Sequence, residues 1–125
     1  MNILEIVSGR RVNGATMHAV LLSRELAVRG HSVTVVCRPG VWIEQERRGS
    51  AVDVFPSDLH RWPADELRRI AALVDARAID VVHTHMRRAH FFGALLRSAL
   101  ARSIRYFVQS ASRVIFPRDS SYESR

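Results

Sequence analysis

The sequence of 125 residues predicts an α/β fold: a doubly wound, mostly parallel Rossmann-like sheet with helices on both faces. Short apolar runs rich in β-branched residues alternate with stretches whose apolar residues recur at helical spacing. The runs stop at glycine or proline, as buried strands do before a turn. Parallel strands need crossover helices, and right-handed crossovers leave only a few doubly wound arrangements.

Four apolar runs predict buried parallel strands, and a weaker fifth run follows them. The second run stops at Arg38-Pro39-Gly40, and the third stops at Pro56. The predicted strands are residues 3–8, 33–37, 51–55, 79–83 and 104–109.

Apolar spacing also predicts the helices between these strands. Ala15, Ala19, Leu22 and Leu26 share one face of a helix, and Arg29-Gly30 ends it with a basic turn and a glycine. A short helix is predicted over residues 42–48, a third follows Pro63, and a fourth is centred on residues 92–100. We assign Met17 and Leu21 to the core.

Composition narrows the class of protein. With 47% hydrophobic and 25% charged residues, the chain is predicted to be globular rather than disordered. No apolar run reaches the roughly 20 residues that cross a bilayer. The start Met1-Asn2-Ile3 has no basic segment, which argues against a signal peptide. The single cysteine, Cys37, cannot form an internal disulfide, and we therefore predict a cytoplasmic protein.

The net charge of +7 comes from 19 basic residues, and every one of them is arginine. The arginines are spread as pairs, and no stacking aromatic residues are interleaved with them. A solvated surface explains this pattern, and an anionic lipid or phosphate partner is the alternative. We predict no nucleic-acid partner.

Open parallel sheets bind ligands beyond the carboxyl ends of the strands, where the strand order reverses. In a Rossmann order that point lies between the first and fourth strands. The first strand leads into the loop of residues 9–14, and the fourth leads into His83-Thr84-His85. Two segments that are distant in sequence are therefore predicted to converge.

The loop before the first helix is predicted to hold an anion such as a diphosphate, because free N–H groups at a helix start attract negative charge. Gly14 would let a ligand approach the backbone, and Asn13 and Thr16 would add hydrogen bonds. The alternative is that Gly14 only makes the turn and Thr16 caps the helix. Ala15 replaces the lysine of a P-loop, and Arg11 replaces the second glycine of a dinucleotide fingerprint, which excludes both motifs.

His83 and His85 are alternate residues at the end of the fourth strand, so both imidazoles would face one site if the strand continues to His85. Only His90 lies close to them as a third histidine, and no carboxylate stands at a familiar metal spacing, so we expect neither a metal nor a cofactor. A polar or acid–base role is the preferred interpretation. The alternative for His83 is a half-buried residue that contacts no ligand. Cys37 has no histidine near it in sequence and is not predicted to be a nucleophile.

Four segments of the chain resemble family 4 glycosyltransferases. They are residues 2–9 (NILEIVSG), 13–15 (NGA), 22–37 with the stretch LAVRGHSVTV, and 79–85 (IDVVHTH). The resemblance covers about residues 1–103. It implies the N-terminal, acceptor-side domain of a two-domain GT-B enzyme that moves a sugar from a nucleotide donor to a glycan or lipid-linked acceptor. Such enzymes retain the anomeric configuration and usually need no metal.

The resemblance also implies roles for individual residues. Gly14, with Asn13 and Ala15, would lie at the donor phosphates and acceptor, and His85 would line the cleft as the candidate catalytic residue. Asn13 departs from the usual glycine pair, and residues 107–112 lack the histidine that the family carries after its fifth strand. A peripheral contact with the anionic inner membrane face would suit the arginine pairs.

These departures lead to an expected domain organisation. Residues 1–103 are predicted to form the Rossmann-like domain, residues 104–125 a divergent and poorly packed tail, and the donor-binding C-terminal domain is expected to be absent. We therefore expect a truncated glycosyltransferase fragment that is inactive alone. The alternatives are a free-standing module that binds a phosphorylated ligand and a non-functional gene remnant.

Overall fold

The computed structural model describes residues 1–47, 50–59 and 64–99, together with the backbone of 105–109 and 114–115. Strands and helices alternate along these ranges, as the apolar pattern predicts. The elements are β1 (Asn2–Val7), α1 (Gly14–Val28), β2 (Ser32–Cys37), α2 (Trp42–Arg47), β3 (Asp53–Pro56), α3 (Ala64–Ala76), β4 (Val81–His85), α4 (Arg87–Ala99), β5 (Arg105–Gln109) and β6 (Val114–Ile115).

The strands form one sheet in the order β3-β2-β1-β4-β5-β6. All pairings from β3 to β5 are parallel, and β6 pairs with β5 in the antiparallel direction. The chain moves outward from β1 through β2 to β3, then returns to place β4 on the other side of β1. The order therefore reverses between β1 and β4, and the predicted doubly wound Rossmann-like fold is confirmed.

Alternate residues of the strands feed two separate cores, one on each face of the sheet. Leu4 and Ile6 of β1 pack with α3 and α4, whereas Ile3 and Val7 pack with α1 and α2. Because both faces are covered, β1 and β2 are largely apolar along their length and do not alternate between apolar and polar residues. Within such a run, the fully buried Glu5 stands out as a charged side chain.

Helix α1 begins after the glycine loop and ends before Gly30, as the sequence predicts, but its N-cap is Asn13 and not Thr16. Asn13 is the N-cap: its side chain accepts from the Thr16 amide at 3.0 Å, and the Thr16 hydroxyl accepts from the Asn13 amide at 3.0 Å. Thr16 therefore sits at the third helical position and does not occupy the cap itself. Gly30 follows the helix with a φ of +89°, a conformation that glycine adopts at no steric cost.

The assignment of Met17 and Leu21 to the core is wrong. Both are exposed, and the face of α1 that meets the sheet instead carries small side chains. The buried residues of that face are Thr16, Ala19, Val20 and Ser23. Small residues let the helix axis approach the sheet closely, which turns the larger Met17 and Leu21 toward solvent.

Strand β4 lies two residues further along the chain than predicted. It spans Val81–His85 instead of residues 79–83, because Asp80 is used before the strand to accept a hydrogen bond from the Asn2 amide at 2.9 Å. His85 is thus the last residue of a strand and not part of the following loop. Strand β3 is likewise shifted, to Asp53–Pro56.

The predicted poorly packed tail falls mostly outside the described residues. Of residues 104–125, only β5 and β6 are described, and β5 confirms the fifth strand. The predicted role of Pro63 at a helix start also lies outside the described residues. No helix in the described ranges is long and apolar enough to cross a membrane.

Helix α4 packs closely on β4 through a glycine. A Cβ atom added at Gly93 would lie 2.7 Å from Thr84 Cγ2, which is closer than side chains tolerate. Gly14, by contrast, has no atom within 4 Å of the corresponding position. The two glycines therefore offer a matched pair for substitution by alanine.

We expect Gly93→Ala to lower the free energy of unfolding by about 1–3 kcal/mol, because the added methyl overpacks the contact with Thr84. Gly14→Ala should leave it unchanged or raise it by up to about 1 kcal/mol, because it restricts the unfolded chain without a clash. Urea unfolding followed by circular dichroism measures both changes. Equal stability of the two variants would contradict the close packing of α4 on β4.

Candidate functional site

The carboxyl ends of β1 and β4 lie side by side at the reversal of strand order. Val7, the last residue of β1, is in register with His85, the last residue of β4. The α1 helix starts from the same edge, and the ring of His18, one turn into that helix, lies 6.2 Å from the ring of His85. The glycine loop and the histidine-bearing strand therefore converge as the sequence predicts.

The loop between β1 and α1 is tightly packed at Gly9, whereas the space around Gly14 is open. A Cβ atom at Gly9 would lie 2.4 Å from Met86 Sδ and 2.6 Å from Thr16 Cγ2, so glycine is sterically required there. Met86 itself has a φ of +76°, a strained value for a side chain of this size. Gly9, which the sequence argument did not select, thus packs the β1–α1 loop against the β4–α4 turn.

The residues proposed for phosphate binding are not equivalent in the structure. Asn13 and Gly14 are exposed and Ala15 is partly buried, so all three line the open start of α1. Thr16 is fully buried, and its hydroxyl donates to the Arg11 carbonyl oxygen at 2.7 Å. The expected hydrogen bond from Thr16 to a ligand has no support, because the hydroxyl is used within the loop.

Two amides at the start of α1 remain for a ligand. The Asn13 side chain accepts from the Thr16 amide, and the Asn13 carbonyl oxygen accepts from Met17 N at 2.9 Å. The amides of Gly14 and Ala15 precede these and have no helical or capping acceptor among the described residues. Together with the open space at Gly14, they form an accessible pair of donors at the positive end of the helix dipole.

A buried carboxylate joins the two histidines of β4. Glu5 is in register with His83 on the neighbouring strand, and both side chains point to the α1 face of the sheet. His85 Nε2 and Glu5 Oε2 form a short hydrogen bond, and His83 Nδ1 lies 3.4 Å from Glu5 Oε1. An ionised carboxylate only accepts, so Nε2 of His85 carries the proton of this bond.

The structure corrects the sequence argument about the partners of the histidines. His90 was the nearest histidine in sequence, but its Nδ1 lies 2.8 Å from Thr84 Oγ1, on the opposite face of the sheet. The carboxylate that seemed absent is Glu5, which is 78 residues before His83. A single acidic residue inside an otherwise apolar buried strand was the signal that would have found it.

His85 is more enclosed than His83. It is 2% exposed, whereas the side chain of His83 is 12% exposed. The cause is the shift of β4, which places His85 inside the sheet and beneath α1. Of the two imidazoles, His83 is therefore the more accessible to solvent.

Glu5 is held ionised by its two histidine neighbours. Burial alone raises the pKa of a carboxyl group, but the hydrogen bonds and charges of His85 and His83 outweigh it and lower the pKa of Glu5 below its ordinary value. A buried carboxylate without such partners would be costly. The three side chains of this Glu5–His83–His85 cluster therefore interact electrostatically, and removing one of them changes the electrostatic environment of the other two.

Three arginines gather at the same edge of the sheet. Arg38, just after β2, donates from Nε to the Ser8 carbonyl oxygen at 2.9 Å, which brings its guanidinium to the end of β1. Burial, and then the positive charges of Arg10 and Arg88, lower the pKa of Arg38, although it remains protonated at neutral pH. Asp58 opposes this shift. The edge is thus a region of like positive charges that would attract an anion.

Two other features of the described residues do not compete as functional sites. Burial, assisted by Glu44, raises the pKa of Cys37 to about 12, so the residue is an unreactive thiol at neutral pH. A cavity of about 340 Å³ lies between the end of α1 and the start of β3, lined by residues such as Ala27, Val28 and Val52. It lies near the amino-terminal end of β3, away from the edge where parallel sheets bind ligands.

The lowered pKa of Glu5 predicts an acid-dependent loss of stability. The unfolded chain takes up the proton of Glu5 near pH 4.5, before the folded chain does, so the contribution of Glu5 is complete above that pH and is lost as pH falls through the folded pKa. Below pH 4.5, the free energy of unfolding should change less steeply with pH in Glu5→Gln than in the wild type, by up to about 1.4 kcal/mol per pH unit. EDTA in the buffer keeps metal ions from contributing to the slope.

Ile6→Val is the matched control, because it removes one methyl group from the opposite face of the same strand. It should lower stability by about 0.5–1.5 kcal/mol at every pH and keep the wild-type slope. Urea unfolding between pH 3 and 7 gives both slopes. A wild-type slope in Glu5→Gln would show that the carboxylate is not held ionised by the histidines.

Comparison with known proteins agrees with this architecture. A family model described as Glycosyltransferase Family 4 matches residues 12–110. The crystal structure of Acinetobacter baumannii MurG superposes with a TM-score of 0.67 at 12% identity, covering 86% of this chain and 34% of that one. A glycosyltransferase from Rickettsia africae ESF-5 gives a TM-score of 0.66 at 16% identity, covering 86% and 28%. No curated protein sequence matches the chain.

The two solved structures establish the fold, since their sequence identities are low. The chain spans 34% of the length of the first and 28% of the length of the second, so the similarity covers only part of each. The family match covers most of the chain, including the start of α1 and all of β4, although it begins after β1. On this evidence the chain belongs to glycosyltransferase family 4.

Proposed function

We propose that these residues form the acceptor-side half of a glycosyltransferase that moves a sugar from a nucleotide donor to a glycan or lipid-linked acceptor. The observation that carries this proposal is the open start of α1, which faces the same sheet edge as His83 and His85. Family membership supplies the reaction class.

The diphosphate of the donor is the part of the substrate that this half is best suited to bind. The amides of Gly14 and Ala15 offer two N–H donors, and the Asn13 side chain stands beside them. Arg10 and Arg38 add positive charge, and guanidinium groups recognise phosphate oxygens readily. An anion at this position would lie directly above the ends of β1 and β4.

His85 is proposed to act on the acceptor side of the same cleft. Its Nε2 is committed to Glu5, which fixes the orientation of the ring and leaves Nδ1 as its second polar atom. His83 lies 4.2 Å from it, centroid to centroid, and is the more exposed of the two. We therefore assign contact with a polar acceptor to His83 as well as to His85.

The isolated chain is proposed to bind ligand without transferring sugar. Transfer requires the donor and acceptor to be aligned with each other, and much of the rate gain comes from this alignment. One Rossmann-like unit supplies one wall of such a site. Measurable sugar transfer by the 125-residue chain alone would contradict this part of the proposal.

The phosphate site is tested by blocking the start of α1. Gly14→Trp places a large side chain where no atom lies within 4 Å, so it should abolish binding of UDP-sugars, GDP-sugars and pyrophosphate without unfolding the domain. Val28→Trp is the matched control at the far end of the same helix, where the side chain is 76% exposed. Isothermal titration calorimetry measures all three ligands.

Each outcome of this titration has a definite meaning. Binding of a nucleotide sugar that is lost in Gly14→Trp and kept in Val28→Trp supports the proposal. Binding of pyrophosphate and nucleotide sugars with equal affinity would indicate a general phosphate-binding module instead. No heat from any ligand with the wild-type chain would contradict both readings.

The arginine contribution is tested separately by Arg10→Gln. Loss of one exposed charge near the phosphates should weaken pyrophosphate binding by about 2–5-fold at low salt, and the difference should shrink as salt is raised. Arg29→Gln is the control, because Arg29 pairs with Glu25 at the opposite end of α1. Equal affinities of the two variants would exclude a role for the arginine-rich edge.

A further inference from the structure

The Glu5–His83–His85 cluster has a feature that sugar transfer does not explain. One carboxylate oxygen and two imidazole nitrogens lie within 4.8 Å of one another. They come from two adjacent strands, and Glu5 and His85 are almost completely buried. Burying three ionisable groups together is costly unless a specific interaction compensates.

The sheet fixes the positions from which these side chains project. Glu5 and His83 are directly opposite in the β1–β4 register, and His85 follows two residues later on the same face. Ligand atoms around a tetrahedral zinc ion lie about 3.4 Å apart, given bonds of roughly 2.1 Å. Side-chain rotations that shift the donor atoms by about 1 Å would therefore complete three corners of such a site with the backbone in place.

The donor set also matches a particular class of ion. Two imidazoles and one carboxylate suit zinc and neighbouring divalent transition metals, whereas magnesium and calcium favour sites made of oxygen alone. Three protein ligands leave a fourth position for water or another ligand. His83 is the partly exposed member, and the ring of the exposed His18 lies 6.2 Å from that of His85, so the cluster lies close to solvent.

We propose that Glu5, His83 and His85 bind one divalent transition-metal ion, with zinc as the best fit. The prediction of no metal rests on the absence of a carboxylate near the histidines in sequence, and Glu5 removes that premise. The proposal does not depend on the proposed sugar transfer. The competing explanation is a closed hydrogen-bonded cluster, in which the carboxylate is satisfied by the imidazoles alone.

Spectroscopy on the metal-free chain tests this proposal directly. Titration with Co²⁺ should produce the visible absorption bands of a tetrahedral ion, saturating at one equivalent, and Zn²⁺ should displace them. Zn²⁺ should also raise the Tm of the wild-type chain, because an ion that binds only the folded state stabilises it. Absence of both effects with excess metal would overturn the proposal, whatever the variants do.

Variants locate the ion within the chain. Glu5→Gln and His83→Gln should each weaken Co²⁺ binding by about 100-fold or more, since loss of a direct ligand costs at least as much as loss of a supporting residue. His31→Gln is the control, because His31 lies at the opposite edge of the sheet and contacts the amino terminus at 3.0 Å. Cys37→Ala controls for binding at the thiol, because a cysteine sulfur is a common zinc ligand.

The variants test the assignment only if they are folded, and two of their outcomes would contradict it. Circular dichroism of each metal-free variant shows whether it is folded, and His83→Gln is chosen because His83 is the least buried of the three. Retention of full affinity in folded Glu5→Gln and His83→Gln, or its loss in Cys37→Ala, would overturn the assignment. Calorimetry with nucleotide sugars, repeated with and without Zn²⁺, keeps this result separate from the test of sugar binding.

Discussion

The parallel pairing of β1 with β4 is the constraint on which the candidate site depends. These strands are separated by more than seventy residues, yet their register aligns Glu5 with His83 and Val7 with His85. The pairing sets the reversal of strand order and brings the α1 start beside the histidines. It also buries a charged side chain on the α1 face of the sheet. A one-residue slip between the two strands would place Glu5 and the two histidines on opposite faces of the sheet.

Much of the fold could be predicted because its signals are local. Apolar runs ending at glycine or proline gave the strands, and the Arg29-Gly30 pair gave the end of α1. The errors are found where a distant contact decides the outcome. Asp80 was read as a strand residue but accepts from the Asn2 amide instead. Met17 was read as core, whereas small side chains at Ala19 and Ser23 determine which face of α1 meets the sheet.

The site was predictable in its location and only partly in its chemistry. Strand order and the glycine loop were enough to predict that residues 9–14 would meet the end of β4. The partners within the site depend on register, which no local pattern reveals. Glu5 was therefore missed, and His90 was considered in its place although it lies on the opposite face with Thr84. Thr16 was assigned to a ligand, but its hydroxyl is needed inside the loop.

The candidate site has two parts, one that is open and positively charged and one that buries a negative charge. At the α1 start, helix amides and arginines offer positive charge at an open surface, and an anion would satisfy them from solvent. Beneath it, the Glu5 carboxylate is already satisfied by imidazole groups in a closed environment. His18 and His83 lie between these parts, each next to His85. The histidines therefore stand next to an open surface that favours an anion and, at the same time, satisfy a buried carboxylate.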